Sequence, residues 1–462
     1  MSDILWTWED LCKGLGKPET KGPNVTGITV DSRKVKSGDL FIALSGAPRP
    51  EFNIFDQSPR NGHDFVEAAV ENGAVGALVS EPVEESIPHI LVEDSLDALW
   101  RLARYRRKQI NYPVIAVTGS SGKTTFKEML NQILNGSAAE GSFNNHLGVP
   151  LSIVRASTSA PSVVLEIGTN HPGEIEKLAS LATPDIAVCL NVQEAHIGNF
   201  GSRQNLLQEK LSIFNGLGIA GIAVVPSDLK EDAVRVISEN HRLMTFGHGP
   251  SDDVTYSVIE DDLVEISTSQ GVIRSAVPGG GSHRAQTLAA VAAVVQGLDL
   301  PLTRLKDTEF DLPAGRGQQF KLGSTILIDD SYNANPSSMQ ASLFQFQQSR
   351  FKRKLAILGD MNELGDDSET YHRELVNQVE GIDAVVTVGS KIAILKDLLP
   401  SHVAHFDIVD SACVDWCNSH AEEYQAILVK GSNTVFWTSN FCQKLRVRFS
   451  GKRETEPAQH YN

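Results

Sequence analysis

Residues 113–134 read PVIAVTGSSGKTTFKEMLNQIL, and the fold turns on them. PVIAVTG has the character of a buried strand, SSGK is a turn, and the residues from Lys123 onward carry a helical pattern. Phe126, Met129, Leu130, Ile133 and Leu134 recur at helical spacing and therefore share one face. A strand, a glycine-rich turn and an amphipathic helix in that order make a phosphate-binding turn physical rather than a chance match. Backbone N–H groups from Gly119 through Ser120 and Ser121 to Gly122, backed by the positive end of the helix, would cradle the phosphates of a nucleotide. Lys123 would neutralise phosphate charge, the Thr124 hydroxyl would ligate Mg2+, and Thr125 completes the turn. A strict G-x-x-x-x-G-K-[ST] pattern needs glycine at 117, where Val117 stands, so the departure is one position.

Downstream of this unit, further apolar strands are expected at 162–168, 185–191 and 221–227, separated by helix-length stretches, which predicts a doubly wound, mostly parallel sheet. Alternation between 254 and 277 predicts antiparallel hairpins before an Ala-rich helix over 285–298. The last third alternates STILIDDS, RKLAILGDM, DAVVTVG, HVAHFDI and QAILVKGS with helical stretches, the pattern of a second parallel sheet with right-handed crossovers. Polar residues gather where those strands end, among them Asp329, Asp330, Asp360, Lys430 and Ser432, so this part presents a polar lip. Upstream, short strands at 28–30, 39–46 and 74–80 and a helix at 63–73 form a small α/β unit. Its three-proline segment 47–61 reads as a long surface loop. The basic end of the next helix, ARYRRKQ (103–109), reads as a solvated terminus. The fold class is thus α/β in three domains: 1–110, a central P-loop domain over 111–312, and a C-terminal Rossmann-like domain over 313–462.

Composition agrees with this division. A chain of 462 residues is expected to hold roughly three domains. With 41 Lys+Arg against 57 Asp+Glu, the net charge of −16 argues against an electrostatic grip on nucleic acid or anionic lipid. The densest apolar run, Leu288 to Val295, is far short of the ~20 residues that span a bilayer. The N-terminus has no basic segment followed by an apolar one, and five scattered cysteines fit a reducing cytoplasm better than a disulfide framework. A monomer is the default expectation.

Further candidates flank the turn. Glu166 follows three apolar residues at a strand end, where a carboxylate suits metal support better than casual solvation. His196 lies in a loop beyond a neighbouring strand; on its own it reads as a structural histidine. Lys210 alone reads as an ordinary helix lysine. Arg316, between two glycines, is placed either to reach a transferring phosphoryl group or to pair locally in a linker. Asn335 precedes a proline and a helix, the position of an N-cap.

Taken in order, TGSSGKTT, FNNHLGVP, EIGTNHPGEI, AHIGNFGS with Lys210, PAGRGQ, DDSYNANP, LGDMNELG and LVKGS resemble the Mur ligase family. VDSRKVKSGDLFIALSG and HDF extend the resemblance to the first domain. DDSYNANP and GDMNELG point to the member that adds D-alanyl-D-alanine, since diamino-acid-adding relatives typically carry D-Y-A-H-[TN]-P. The resemblance implies that ATP phosphorylates the terminal carboxylate of a UDP-N-acetylmuramoyl-tripeptide (UDP-MurNAc-tripeptide). The amine of D-Ala-D-Ala then attacks the acyl phosphate and expels phosphate. It implies ATP and two Mg2+ as cofactors. By motif position, Lys123 matches the phosphate lysine, Thr124 and Glu166 match Mg2+ ligands, and His196 matches the histidine of a second metal. Lys210 matches a lysine carbamylated in many relatives, a modification that turns a cation into an oxygen anion suited to Mg2+. Arg316 matches an interdomain phosphate-binding arginine, and Asp330 a residue that meets nucleotide in the closed form. Asn144 and Asn145 match a pair near the sugar and phosphate end, with Ser32, Arg33 and His63 on the UDP-substrate side. Asn333 and Asn335 resemble residues near the incoming dipeptide. His283 falls in the adenine-side stretch, where Arg284 and Thr287 replace the usual asparagines. Two other classes compete with the ligase: a P-loop kinase or NTPase switch, and a Mur-like protein that binds UDP-sugar without turnover.

Overall fold

The computed structural model describes residues 4–450 except 84–86, 140, 194–196 and 261. His196 and the polar tail 451–462 lie outside the described residues. Among the described residues the strands form three sheets.

The first is wholly parallel: Gly27–Thr29, Asp39–Ile42, Gly76–Val79 and His89–Leu91, side by side in that order. The second runs Gly271–Ala276, Leu263–Thr268, Val254–Glu260, Arg242–Gly247, Ile222–Pro226, Ile186–Cys189, Val114–Thr118, Val163–Glu166 and Ser137–Ala138. Its pairs are parallel except the two at the Gly271–Ala276 edge, which form the expected antiparallel meander. The third runs Gln318–Leu322, Thr325–Asp330, Ala426–Lys430, Lys354–Gly359, Ala384–Val388 and His402–Phe406. Only its first strand pairs antiparallel; sequence reading passed over this strand, whose alternating burial leaves half of it polar.

The strand Val114–Thr118 is buried along its whole length between parallel neighbours, as its unbroken apolar run requires. Gly122 opens the helix Lys123–Leu134 at φ +83°, a conformation only glycine enters cheaply. Phe126, Met129, Leu130, Ile133 and Leu134 of that helix are all buried.

One expectation is corrected. The basic end of the helix Ser95–Gln109 is not solvated: Arg106 is buried and donates to the Leu5 carbonyl at 2.6 Å, and Arg107 donates to the Ala182 carbonyl at 2.6 Å. A guanidinium brings five donors, so it can cap carbonyls of elements that its own helix merely touches. The segment 47–61 is a surface loop, as expected, and it is tied to the body. Pro50–Phe52 forms a short 3-10 turn, and Phe52 stacks on His146 with ring centroids 4.8 Å apart. Arg49 pairs with Asp94, and Lys177 donates to the Glu51 carbonyl.

Candidate active site

A cavity of about 430 Å³ lies where the carboxyl ends of the second and third sheets face each other. The phosphate-loop candidates Ser120, Ser121, Gly122, Lys123, Thr124 and Thr125 line its floor. Gly119 sits one residue earlier, where its carbonyl accepts from Lys123 Nζ at 2.7 Å. The loop is braced from the neighbouring strand: Asn191 Oδ1 accepts from Ser121 N at 3.0 Å, and Gln193 Oε1 accepts from Ser121 Oγ at 2.8 Å.

The Glu166 carboxylate is almost fully buried, yet both of its oxygens are in use. Thr124 Oγ1 donates to Oε2 at 2.8 Å and Asn144 Nδ2 donates to Oε1 at 2.7 Å. Arg316 Nη2 donates to the same Thr124 Oγ1 at 3.1 Å. Residues 124, 144, 166 and 316, far apart in the chain, thus converge on one hydroxyl and one carboxylate. Arg316 therefore reaches across to the loop instead of pairing only within its own linker. Gly315 and Gly317 flank it at φ +68° and +89°, which lets the backbone bend sharply on both sides of the arginine.

The electrostatics are set by burial. Lys123 is pushed below its ordinary pKa by desolvation, with the Arg316 charge adding to the effect and Glu166 opposing it. Lys210 is buried too, on the helix Arg203–Leu211, and desolvation together with the Lys123 charge lowers it to about 7. Among the described residues no hydrogen bond to its ammonium is present, which sets it apart from the solvated helix lysine it resembles in sequence. Across the cavity, burial disfavours ionisation of Asp330, but the Lys430 and Arg284 charges outweigh it and hold the carboxyl well below its usual range. Lys430 Nζ donates to Asp330 Oδ2 at 2.8 Å and Ser342 Oγ donates at 2.6 Å. Burial and the neighbouring Arg284 lower His283 to about 3, so it is a neutral imidazole at physiological pH.

Other expected residues fall in different places. Asn333 and Asn335 line the cavity, but Asn335 is also the N-cap of the helix Pro336–Gln348, closing a capping box with Ser338. Asn145 is not on the cavity wall; its Oδ1 accepts from Leu147 N and Gly148 N at 3.1 and 2.9 Å and starts the helix Gly148–Arg155. Ser32, Arg33 and His63 lie on the first sheet's unit, away from the cavity. Arg33 pairs with Asp31 in solvent, whereas His63 accepts at Nε2 from Ser80 N at 2.9 Å. Lys430 and Gln193 were not singled out as site residues from sequence. Lys430 reads only as part of the polar lip at a strand end, the signal that marks it; Gln193 carries no such signal.

The oxygen donors Thr124 and Glu166, buried beside a polar cavity, fit a hard divalent cation such as Mg2+, which retains waters and takes few protein ligands. No helix among the described residues is long and apolar enough to cross a membrane.

Comparison with known proteins bears on the same segments. Residues 117–295 match the Mur ligase middle domain, and residues 315–433 match the Mur ligase glutamate ligase domain. UDP-N-acetylmuramoyl-tripeptide--D-alanyl-D-alanine ligase of Rickettsia prowazekii is 30% identical, over 94% of this chain and 98% of that protein. The Escherichia coli protein of the same name is 33% identical over 81% of this chain and 84% of its own. Among solved structures, MurF of Acinetobacter baumannii superimposes with a TM-score of 0.80 at 30% identity, covering 95% of this chain and 98% of that one. MurF of Thermotoga maritima in complex with ADP superimposes with a TM-score of 0.75 at 26% identity, covering 92% and 98%. With both its catalytic-side domains matched and relatives aligned along nearly its whole length, the chain belongs to the Mur ligase family.

Proposed function

We propose that this chain is the ATP-dependent ligase that joins D-Ala-D-Ala to UDP-MurNAc-tripeptide through an acyl phosphate, acting in the cytoplasm as a monomer. The observation that carries the reading is the contact of Arg316 with Thr124. It brings the segment leading into the third sheet onto the phosphate loop, so that one cavity holds an ATP-binding floor and a second polar wall. In this reading residues 1–110 take the UDP-sugar, 111–312 take ATP, and 313–462 bring the dipeptide.

A carboxylate resists amine attack at neutral pH, so it must first gain a leaving group. Lys123 and the loop amides hold the phosphates of ATP, and Arg316 stands where charge develops on the transferring phosphoryl group. Thr124 and Glu166 are the residues that would hold Mg2+, which when bound supplies neutralisation of phosphate charge. His196, outside the described residues, is assigned to a second ion by its motif alone. A pKa near 7 leaves much of Lys210 as the neutral amine, the form that reacts with CO2, and this supports carbamylation there. Asp330, held ionised by Lys430, and His283 face the nucleotide from the far wall. Asn144 orients Glu166, while Asn333 and Asn335 lie on the side assigned to the dipeptide.

The test is product formation. Purified protein with ATP, Mg2+, UDP-MurNAc-tripeptide and D-Ala-D-Ala should give pentapeptide, ADP and phosphate. Failure to form pentapeptide, with no D-Ala-D-Ala-dependent ADP release, would sink the proposal.

A further inference from the structure

The helix Ser282–Gly297 is apolar almost throughout, yet its first turn buries Arg284. A cation there is poorly placed on two counts: it stands at the positive end of the helix dipole, and it loses its hydration. Such a residue persists when its donors are used, and here both terminal nitrogens are. Nη1 donates to the carbonyls of Gly279 at 2.9 Å and Gly280 at 3.2 Å and to Gln345 Oε1 at 2.9 Å. Nη2 donates to the carbonyl of Arg316 at 3.2 Å. Gln345 in turn donates through Nε2 to the Gly279 carbonyl at 2.6 Å, closing a ring of three partners. Room is tight, since a Cβ at position 317 would stand 2.0 Å from Arg284 Nη2.

Three segments meet in this ring: the turn before the helix, the Gly-Arg-Gly bend, and the helix Pro336–Gln348 of the third unit. The side chain of Arg316 is supported separately, lying over the Tyr332 ring at 4.2 Å, with Trp437 edge-on to that ring at 5.2 Å. Its backbone is held by Arg284, and its guanidinium then reaches Thr124. A long flexible side chain delivers its charge to one place only when its base and its length are both restrained.

We propose that Arg284 is a positioning residue which, clasped to Gln345, fixes the main chain of Arg316 so that the Arg316 guanidinium is aimed at the phosphoryl site. This rests on the ligase reading above. Misplacing a catalytic group by about 1 Å costs about 10²-fold in rate, so the clasp is expected to act on turnover and not on nucleotide affinity. Thr287, one turn further on, spends its hydroxyl on the His283 carbonyl and takes no part.

The experiment uses the full chain with Arg284→Gln, Arg284→Lys, Gln345→Ala, Arg316→Ala, and Arg284→Gln combined with Arg316→Ala. Arg284→Gln should lower kcat by about 10²-fold while KM for ATP moves less than about threefold. Arg284→Lys should restore only part of the loss, since an ammonium cannot reach four acceptors in a fork. On the Arg316→Ala background Arg284→Gln should cost little more, because its effect passes through Arg316. Additive losses, or a tenfold rise in KM for ATP at unchanged kcat, would overturn the proposal and make Arg284 a ligand contact. If Arg284→Gln does not fold, Gln345→Ala carries the test with the same split at smaller size. Should the wild type bind ADP yet fail to ligate, the ligase reading falls, and the clasp is judged by hydrogen exchange alone. Amides of 313–320 should then exchange faster in Gln345→Ala than in wild type, and equal rates would refute it.

Discussion

The two junctions between the three sheets are built from opposite materials. Between the first and second, one apolar core runs without interruption from Trp6 through Trp100 and Val149 to Ala233. The polar contacts there are buried or half-buried side chains reaching backbone: Trp6 Nε1 donates to the Val154 carbonyl at 2.8 Å, Trp100 Nε1 to the His146 carbonyl at 2.8 Å, and Arg155 Nε to the Ile28 carbonyl at 2.7 Å. Between the second and third, the cores stop at the border; those of the third unit begin at Leu322 and end at Leu445. The hydrogen bonds that cross include Arg316 to Thr124, Arg284 to Gln345 and to the Arg316 carbonyl, and Gln345 to the Gly279 carbonyl, around a polar cavity. Hydrogen bonds can be exchanged for water at little net cost, whereas a shared core cannot be opened without exposing apolar surface. Any opening and closing is therefore expected at the second junction, with the first two units held together by their shared core.

Substitutions at the two junctions should fail in different ways. The largest kinetic loss is expected for Arg316→Ala, about 10³-fold in kcat with a melting temperature close to wild type. A fallen melting temperature with kcat intact would make the second junction structural like the first. Lys210→Ala should also cost orders of magnitude in kcat, and a short carboxylate supplied in solution should recover part of it; an unaffected variant removes Lys210 from the chemistry.

The same lysine gives a pH signature. Its folded pKa of about 7 lies below the ordinary 10.5, so between these values unfolding takes up a proton, and the fold gains stability as pH rises. Urea midpoints in CO2-free buffer should thus rise from pH 7 to 9.5, and rise less in Lys210→Met. At the first junction, Trp6→Ala should cost about 3–5 kcal/mol of stability in urea unfolding, with kcat per folded molecule unchanged. The smallest signal is shape: solution scattering should show modest compaction with an ATP analogue and UDP substrate together. Compaction that survives in a variant cross-linked across the second junction would move the hinge elsewhere.

Much of this was legible in residues 113–134, because a strand buried on both faces and a one-faced helix each carry their own periodicity. The convergence of Thr124, Glu166 and Arg316 was partly legible, since strand ends are where α/β sheets place ligands. Two things were not. The burial of Arg106 and the docking of Phe52 depend on which surfaces meet, and no local pattern encodes that. The difference between Lys210 as a solvated lysine and as a buried amine near pH 7 also arises only from packing. Asn335 shows the opposite case, a residue whose local role as a cap was readable from Asn-Pro alone.

The continuous first core has a consequence for how the chain is made. Residues from Trp6 to Ala233 contribute to it, so it cannot be completed until that whole length has left the ribosome. At about 5–20 residues per second this leaves Trp6 and Leu11 waiting roughly 10–50 s for the core to be completed. The third unit has cores of its own, spanning Leu322 to Leu445, so its wait is shorter, roughly 6–25 s. The nascent chain is thus most exposed to chaperones and proteases early, over a segment that includes the phosphate-binding loop.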